Sequence, residues 1–94
     1  MMKFYMCNVV NYDGEVAYTS KFVLRVDEND EVDAESVQLV KDYLSQAGCE
    51  LLKIYPQNQI YFEEIVALKN HEEPLIRCAY GRFLEMYFGE VEVE

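Results

Sequence analysis

The side chains best suited to binding in this 94-residue chain are carboxylates, and eight of the 18 lie between residues 27 and 50. The same stretch has one basic residue, Lys41, and the whole chain carries a net charge of −10. Carboxylates at this density bind either hard cations or the lysine and arginine side chains of a partner. The eight acidic residues are Asp27, Glu28, Asp30, Glu31, Asp33, Glu35, Asp42 and Glu50.

The spacing of oxygen-bearing side chains from Asp27 to Glu35 resembles the first half of an EF-hand calcium loop. It departs from that loop where Val32 stands in place of the glycine and Gln38 in place of the bidentate glutamate. We therefore expect no true calcium site. A small-ligand or weak calcium-binding domain is kept as a secondary hypothesis.

The sequence has no recognisable catalytic constellation. His71 is the single histidine and lies in a polar break rather than beside a candidate nucleophile, and no glycine-rich phosphate-binding loop is present. Cys7, Cys49 and Cys78 lack the spacing of a zinc site or a disulfide framework. We predict that the protein is not an enzyme and uses no cofactor or metal.

Length and composition favour one compact domain spanning residues 1–94, because 51% of the residues are hydrophobic and 14% are aromatic. No apolar run approaches the roughly 20 residues of a membrane helix, and the N-terminus lacks a signal-peptide pattern. A cytoplasmic location is therefore expected. The negative charge makes direct binding to nucleic acid or to an anionic membrane unfavourable.

An amphipathic helix is predicted over residues 33–47. Apolar residues recur at helical spacing from Val37 to Leu44, Asp33 is suited to cap the N-terminus, and Gly48 is suited to end the helix.

A β-hairpin is predicted over residues 3–26, turning at Asp13-Gly14. A two-residue turn would pair Cys7 with Ser20. The face expected to pack beneath the helix carries Tyr5, Cys7, Val9, Phe22 and Leu24. The other face is too apolar for plain solvent, so either a second element covers it or it is an interaction or dimer surface. Its apolar residues are Phe4, Met6, Val10, Tyr12, Ala17 and Val23.

Two further strands are predicted after the helix. Residues 49–55 form the third, closed by a turn at 56–58, and residues 59–69 form the fourth, antiparallel to it. The spacing of Tyr61 and Ile65 also fits a helix, but a strand is the simpler interpretation.

A helix is expected over residues 74–88, with two strands broken at Tyr80-Gly81 as the alternative. The last residues, 89–94, alternate glutamate with valine and fit a short edge strand or an acidic tail. The predicted fold class is therefore an α+β domain with an antiparallel four-stranded sheet, β-β-α-β-β along the chain, followed by a C-terminal helix.

The concentration of charge, with tyrosines nearby, predicts a surface complementary to a basic groove that normally holds phosphates. This profile is similar to that of nucleic-acid mimics, including phage-encoded inhibitors of restriction or CRISPR nucleases, although no shared motif defines that class. The hypothesis is a small, non-enzymatic inhibitor that occupies a basic, nucleic-acid-binding surface of a partner protein. The alternative is an interaction or oligomerisation module, such as a homodimer, that uses the apolar sheet face. The expected partner-binding residues are Asp27, Glu28, Asp30, Glu31, Asp33, Glu35, Asp42, Tyr43, Glu90, Glu92 and Glu94.

Overall fold

The computed structural model describes residues 2–89, and this part of the chain forms one sheet and several helices. The carboxylates predicted to act at Glu90, Glu92 and Glu94 lie outside the described residues. The elements in chain order are β1 (Lys3–Tyr12), β2 (Ala17–Val26), α1 (Ala34–Gln46), β3 (Glu50–Ile60), α2 (Phe62–Ala67), a 3-10 helix (Leu68–Asn70) and α3 (Pro74–Phe88).

Strands β1 and β2 form the predicted hairpin, but residues 13–16 make a four-residue loop instead of a two-residue turn. The Asp13 carboxylate accepts hydrogen bonds from the backbone N–H groups of Glu15 and Val16, each at 2.8 Å, and Gly14 has a φ of +99°. The register therefore moves by two residues from the predicted one. Because side chains alternate with a period of two, every side chain stays on its predicted face.

Helix α1 packs on the hairpin face that was expected to be buried. The Asp33 carboxylate accepts a hydrogen bond from the Ser36 backbone N–H at 2.8 Å, which confirms the predicted N-cap. At the other end Gly48 has a φ of +74°, as a helix-ending glycine requires. The buried residues of this layer are Cys7, Val9, Phe22, Leu24, Val40 and Leu44.

The second face of the sheet is covered by α2, the 3-10 helix and α3. A second element therefore accounts for the apolar character of this face, and Met6 and Val23 are buried rather than available to a partner. The cover is incomplete, because Ala17 and Thr19 near the hairpin loop are exposed. The buried residues of this layer are Met6, Val23, Ile60, Ile65, Leu68, Ala79 and Phe83.

The predicted four-stranded sheet is wrong. Among residues 2–89 the sheet has three antiparallel strands in the order β2-β1-β3, and the segment predicted as a fourth strand is α2 with the 3-10 helix. The Glu64 carboxylate accepts a hydrogen bond from the Tyr61 backbone N–H at 3.1 Å, which starts a helical turn. Ile65 and Leu68 then face the core together, as helical spacing allows and strand alternation does not.

Strand β3 also runs through Pro56, where a turn was predicted. β3 lies at an edge of the sheet, and a proline there need not remove a ladder hydrogen bond because its nitrogen can face away from the neighbouring strand. Helix α3 matches the helix predicted over residues 74–88 and ends at Gly89, which has a φ of +66°.

Helix α3 closes the free edge of β2 with two side chains. Arg82 Nη1 donates to the Lys21 carbonyl at 2.9 Å, and the Tyr87 hydroxyl accepts from the Arg25 backbone N–H at 2.9 Å. These contacts satisfy backbone groups that an edge strand would otherwise leave open to another chain.

Candidate functional site

Residues Asp27–Glu31, which we call the acidic loop, form a closed turn after β2. The Asp27 N–H donates to the Glu31 carbonyl at 2.7 Å, and the Asp27 carboxylate accepts from the N–H groups of Asn29 at 2.8 Å and Glu31 at 3.1 Å. Asp30 adopts the left-handed conformation with a φ of +60°, which aspartate tolerates better than most residues. The loop's own carboxylate thus holds its backbone in one conformation.

Asp30 ties the acidic loop to β1. Lys3 Nζ lies 2.9 Å from Asp30 Oδ1, and the Tyr5 hydroxyl approaches the same oxygen at 3.5 Å. The hydrogen bond from its ammonium group to Asp30 raises the pKa of Lys3. The Asp30 side chain is still 57% exposed, so it contributes to the surface as well as to this contact.

Asp33 has two structural roles at the start of α1. It caps the helix through Ser36, and its other oxygen accepts a charge-assisted hydrogen bond from Arg25 Nε. Burial alone would raise the pKa of Asp33, but the hydrogen bonds from Arg25 and Ser36 outweigh it, so this pKa lies below its ordinary value.

The other predicted binding residues on α1, Glu35, Asp42 and Tyr43, differ in how much of each side chain is exposed. Glu35 Oε2 lies 3.3 Å from Arg25 Nη2, yet its side chain is 72% exposed. Asp42 accepts a hydrogen bond from the Gln38 side chain at 2.9 Å. It lies about 10 Å farther along the helix axis than Glu35. Tyr43 is half-buried and packs edge to face on Phe22, with 5.7 Å between ring centroids.

Glu28 and Glu31 are the two carboxylates of the acidic loop that no side-chain contact within the described residues holds in place. Both are exposed, and neither forms an ion pair with another of the residues 2–89. The fold brings the acidic loop beside the first turn of α1, because Val26 before the loop bridges to Val32 after it, and Arg25 of β2 pairs with Asp33. We call this set the acidic surface: Asp27, Glu28, Asp30, Glu31, Asp33, Glu35 and Asp42.

Two cations that partly compensate this surface were not predicted from the sequence. Lys3 and Arg25 come from the hairpin strands, so a search for partners four residues away along the helix does not find them. Only the antiparallel pairing of β1 with β2, which places Lys3 opposite Val26, brings both cations to the same end of the sheet.

An apolar groove between α2 and α3 was also not predicted from the sequence. This groove has a volume of about 210 Å³, and three apolar side chains at its rim are largely exposed: Phe62 at 67%, Val66 at 50% and Phe88 at 60%. The helical alternative for residues 59–69 contained the signal, since Phe62 and Val66 are four residues apart and fall on one side of a helix. The lining residues are Phe62, Ile65, Val66, Tyr80, Phe83, Leu84 and Phe88.

His71 takes part in hydrogen bonds that hold the backbone on either side of it. Its Nδ1 accepts a hydrogen bond from the Glu73 backbone N–H at 3.0 Å, and Arg77 Nη1 donates to the His71 carbonyl at 2.6 Å. These contacts connect the 3-10 helix to the start of α3. Within residues 2–89 no three histidine, cysteine, aspartate or glutamate side chains are grouped so that they could hold a metal ion.

The structure therefore defines a small α+β domain that presents an acidic surface and an apolar groove. No protein-family model, curated protein or solved structure matches the chain. None of the helices in the described range is long and apolar enough to cross a membrane.

Proposed function

We propose that this chain is a small, non-enzymatic binding protein that places its acidic surface against a basic, nucleic-acid-binding surface of a partner protein and blocks it. The observation that carries the proposal is the geometry of the acidic loop. Its backbone is closed by the 2.7 Å hydrogen bond from Asp27 N–H to the Glu31 carbonyl, while Glu28 and Glu31 project into solvent.

A closed loop lowers the entropy cost of binding, because its carboxylates need no backbone ordering when the partner arrives. Lys3 and Arg25 compensate Asp30 and Asp33 and so limit the self-repulsion of the cluster. The exposed side chains of Glu28, Glu31 and Glu35 remain for external lysine and arginine side chains. Charge of this kind accelerates association and makes it sensitive to salt.

The first experiment identifies the partner. The tagged full-length chain is used to capture proteins from a cell lysate at low and at high salt, with and without excess duplex DNA. We expect a nucleic-acid-binding protein that is recovered at low salt and displaced by DNA. A partner that resists salt and is indifferent to DNA would contradict the proposal.

The second experiment tests the acidic loop with a charge-matched control. The double variant Glu28→Lys, Glu31→Lys should weaken binding to the captured partner by roughly tenfold or more at low salt. The control is Glu50→Lys, Glu72→Lys, which changes the net charge equally at exposed positions away from the loop. Equal effects of the two double variants would show that only the overall charge matters and would count against a defined contact.

A second candidate function is an interaction or oligomerisation module, and the exposed rim of the α2–α3 groove favours it. The sheet face that suggested this function is partly excluded, because Met6 and Val23 are buried beneath the helices. Its accessible part is the end near Val10, which is half-buried. Analytical ultracentrifugation of the chain with Val10→Glu or Val66→Glu tests which surface, if either, supports self-association.

A further inference from the structure

The apolar groove between α2 and α3 has buried residues at its base and exposed residues at its rim. Ile65 and Phe83 at its base are buried in the core, with 1% and 4% of their surface exposed. Phe62, Val66 and Phe88 at the rim are at least half exposed. A groove of this kind, between two helices and already formed without a ligand, fits the apolar face of an amphipathic helix.

The last turn of α3, which carries Phe88, lies next to the first turn of α1. Tyr87, the residue before Phe88, bonds through its hydroxyl to Ser36 on α1 and to the Arg25 N–H. The Arg25 side chain in turn contacts Asp33. The Phe88 end of the groove and the start of α1 are thus joined by a short chain of direct contacts.

The negative charge of the protein favours a basic segment over a second copy of this chain as the occupant of the groove. The N-cap Asp33 and the first-turn residue Glu35 of the acidic surface lie beside Ser36, the residue that Tyr87 contacts. A second copy of this chain, with its own net charge of −10, would bring like charges together at this place. A segment with apolar and basic residues would gain from both the groove and the carboxylates of the acidic surface.

We infer that the groove is the docking site for an amphipathic basic helix of the partner protein, with its apolar face between α2 and α3 and its lysine or arginine residues over the acidic surface. This inference rests on the proposed function, which it extends by adding an apolar anchor to the electrostatic contact. Electrostatics would then govern the rate of association, and the anchor would govern the rate of dissociation.

The test uses three synthetic peptides of about 18 residues, long enough to form a helix. One contains leucine and alanine at helical spacing with lysine at the positions on either side of this apolar stripe; the second has the same composition in scrambled order; the third has glutamate in place of every lysine. Fluorescence anisotropy measures the binding of each peptide to the full-length chain. We expect the first peptide to bind at least roughly tenfold more tightly than either of the others.

Three variants locate the binding site. Val66→Glu places a charge at the groove rim, and Leu75→Glu, at a position 71% exposed on α3 and outside the groove lining, adds the same charge elsewhere. We expect Val66→Glu to weaken the first peptide by roughly tenfold and Leu75→Glu by less than about twofold. A weaker complex with Val66→Glu cannot be an effect of the added charge, because added negative charge alone would strengthen the binding of a basic peptide. The third variant, Glu28→Lys with Glu31→Lys, should also weaken the peptide by roughly tenfold.

The outcomes separate the inference from the proposed function. If the charge reversal weakens the peptide but Val66→Glu does not, the groove is not the docking site, while the acidic surface retains its proposed role. If only Val66→Glu weakens it, the inferred basic contact is absent, and displacement by DNA still tests the proposed function. Self-association abolished by Val66→Glu would identify a second copy as the occupant and overturn the inference.

Discussion

The hydroxyl oxygen of Tyr87 lies 2.6 Å from Oγ of Ser36, although the two residues are 51 positions apart in the chain. Ser36 is fully buried in the first turn of α1, and Tyr87 lies in the last turn of α3. The same hydroxyl accepts a hydrogen bond from the Arg25 N–H at the edge of β2. One side chain therefore joins the two helical layers around the edge of the sheet.

Tyr87→Phe should lower the free energy of unfolding by about 1–3 kcal/mol, because the ring is retained while the Arg25 N–H and the Ser36 hydroxyl lose a partner. Urea denaturation followed by circular dichroism measures the change. The control is Tyr55→Phe, since the Tyr55 ring is 44% exposed and its replacement should change stability by no more than about 0.5 kcal/mol. Equal effects of both substitutions would show that the Tyr87 hydroxyl has no special role.

Asp33 predicts a dependence of stability on pH. Its pKa in the folded protein lies below the ordinary value of 3.8, so the stability that it contributes is fully present above pH 3.8 and is lost as the pH falls through the folded pKa. Asp33→Asn keeps a helix-capping side chain but loses the ion pair with Arg25. The difference in free energy of unfolding between wild type and Asp33→Asn, about 1 kcal/mol near neutral pH, should shrink in acid.

The control for that prediction is Glu28→Gln, because Glu28 is exposed and has no ion pair among the described residues. Its effect on stability should be small at every pH. A difference for Asp33→Asn that stayed constant between about pH 6 and about pH 2 would contradict the assigned ion pair.

Cys7 and Cys78 should differ strongly in reactivity. Burial raises the pKa of Cys7 to about 12, whereas Cys78 is exposed on α3. Because the thiolate is the nucleophile, iodoacetamide should modify Cys78 on the order of a hundredfold faster than Cys7 at mildly alkaline pH. Mass spectrometry of the intact protein and its peptides gives the order of labelling. Rapid labelling of Cys7 in native protein would contradict its placement between the sheet and α1.

Gly81→Ala should stabilise the protein by about 0.5–1 kcal/mol, because glycine is unfavourable inside a helix and an added Cβ at this position meets no atom within 4 Å. Gly89→Ala is the matched comparison. Its φ of +66° disfavours any side chain, so this substitution should cost about 1 kcal/mol or more. Thermal unfolding of the two variants should therefore shift in opposite directions.

Local signals in the sequence were sufficient for α1, for the faces of the hairpin and for α3. The N-cap at Asp33 and the glycine at Gly48 act within one helical turn, so neighbouring residues alone specify them. The hairpin faces were predicted correctly even though the register was not, because a shift of two residues preserves the alternation. The four-residue loop depends on the Asp13 carboxylate binding two backbone N–H groups, which an Asp-Gly pair does not specify by itself.

Tertiary packing decided the rest. Residues 59–69 contain strand-forming side chains and helical spacing together, and the helix prevails because it lets Ile65 and Leu68 bury against Met6. The same choice produces the groove, since Phe62 and Val66 reach its rim only from a helix. Lys3 and Arg25 meet the acidic surface through strand pairing between positions far apart in the chain. The sequence by itself determined where charge accumulates and which face of α1 is buried, because those properties are local. The open groove and the pairing of the carboxylates arise from contacts between distant residues, which exist only after the sheet and helices have packed.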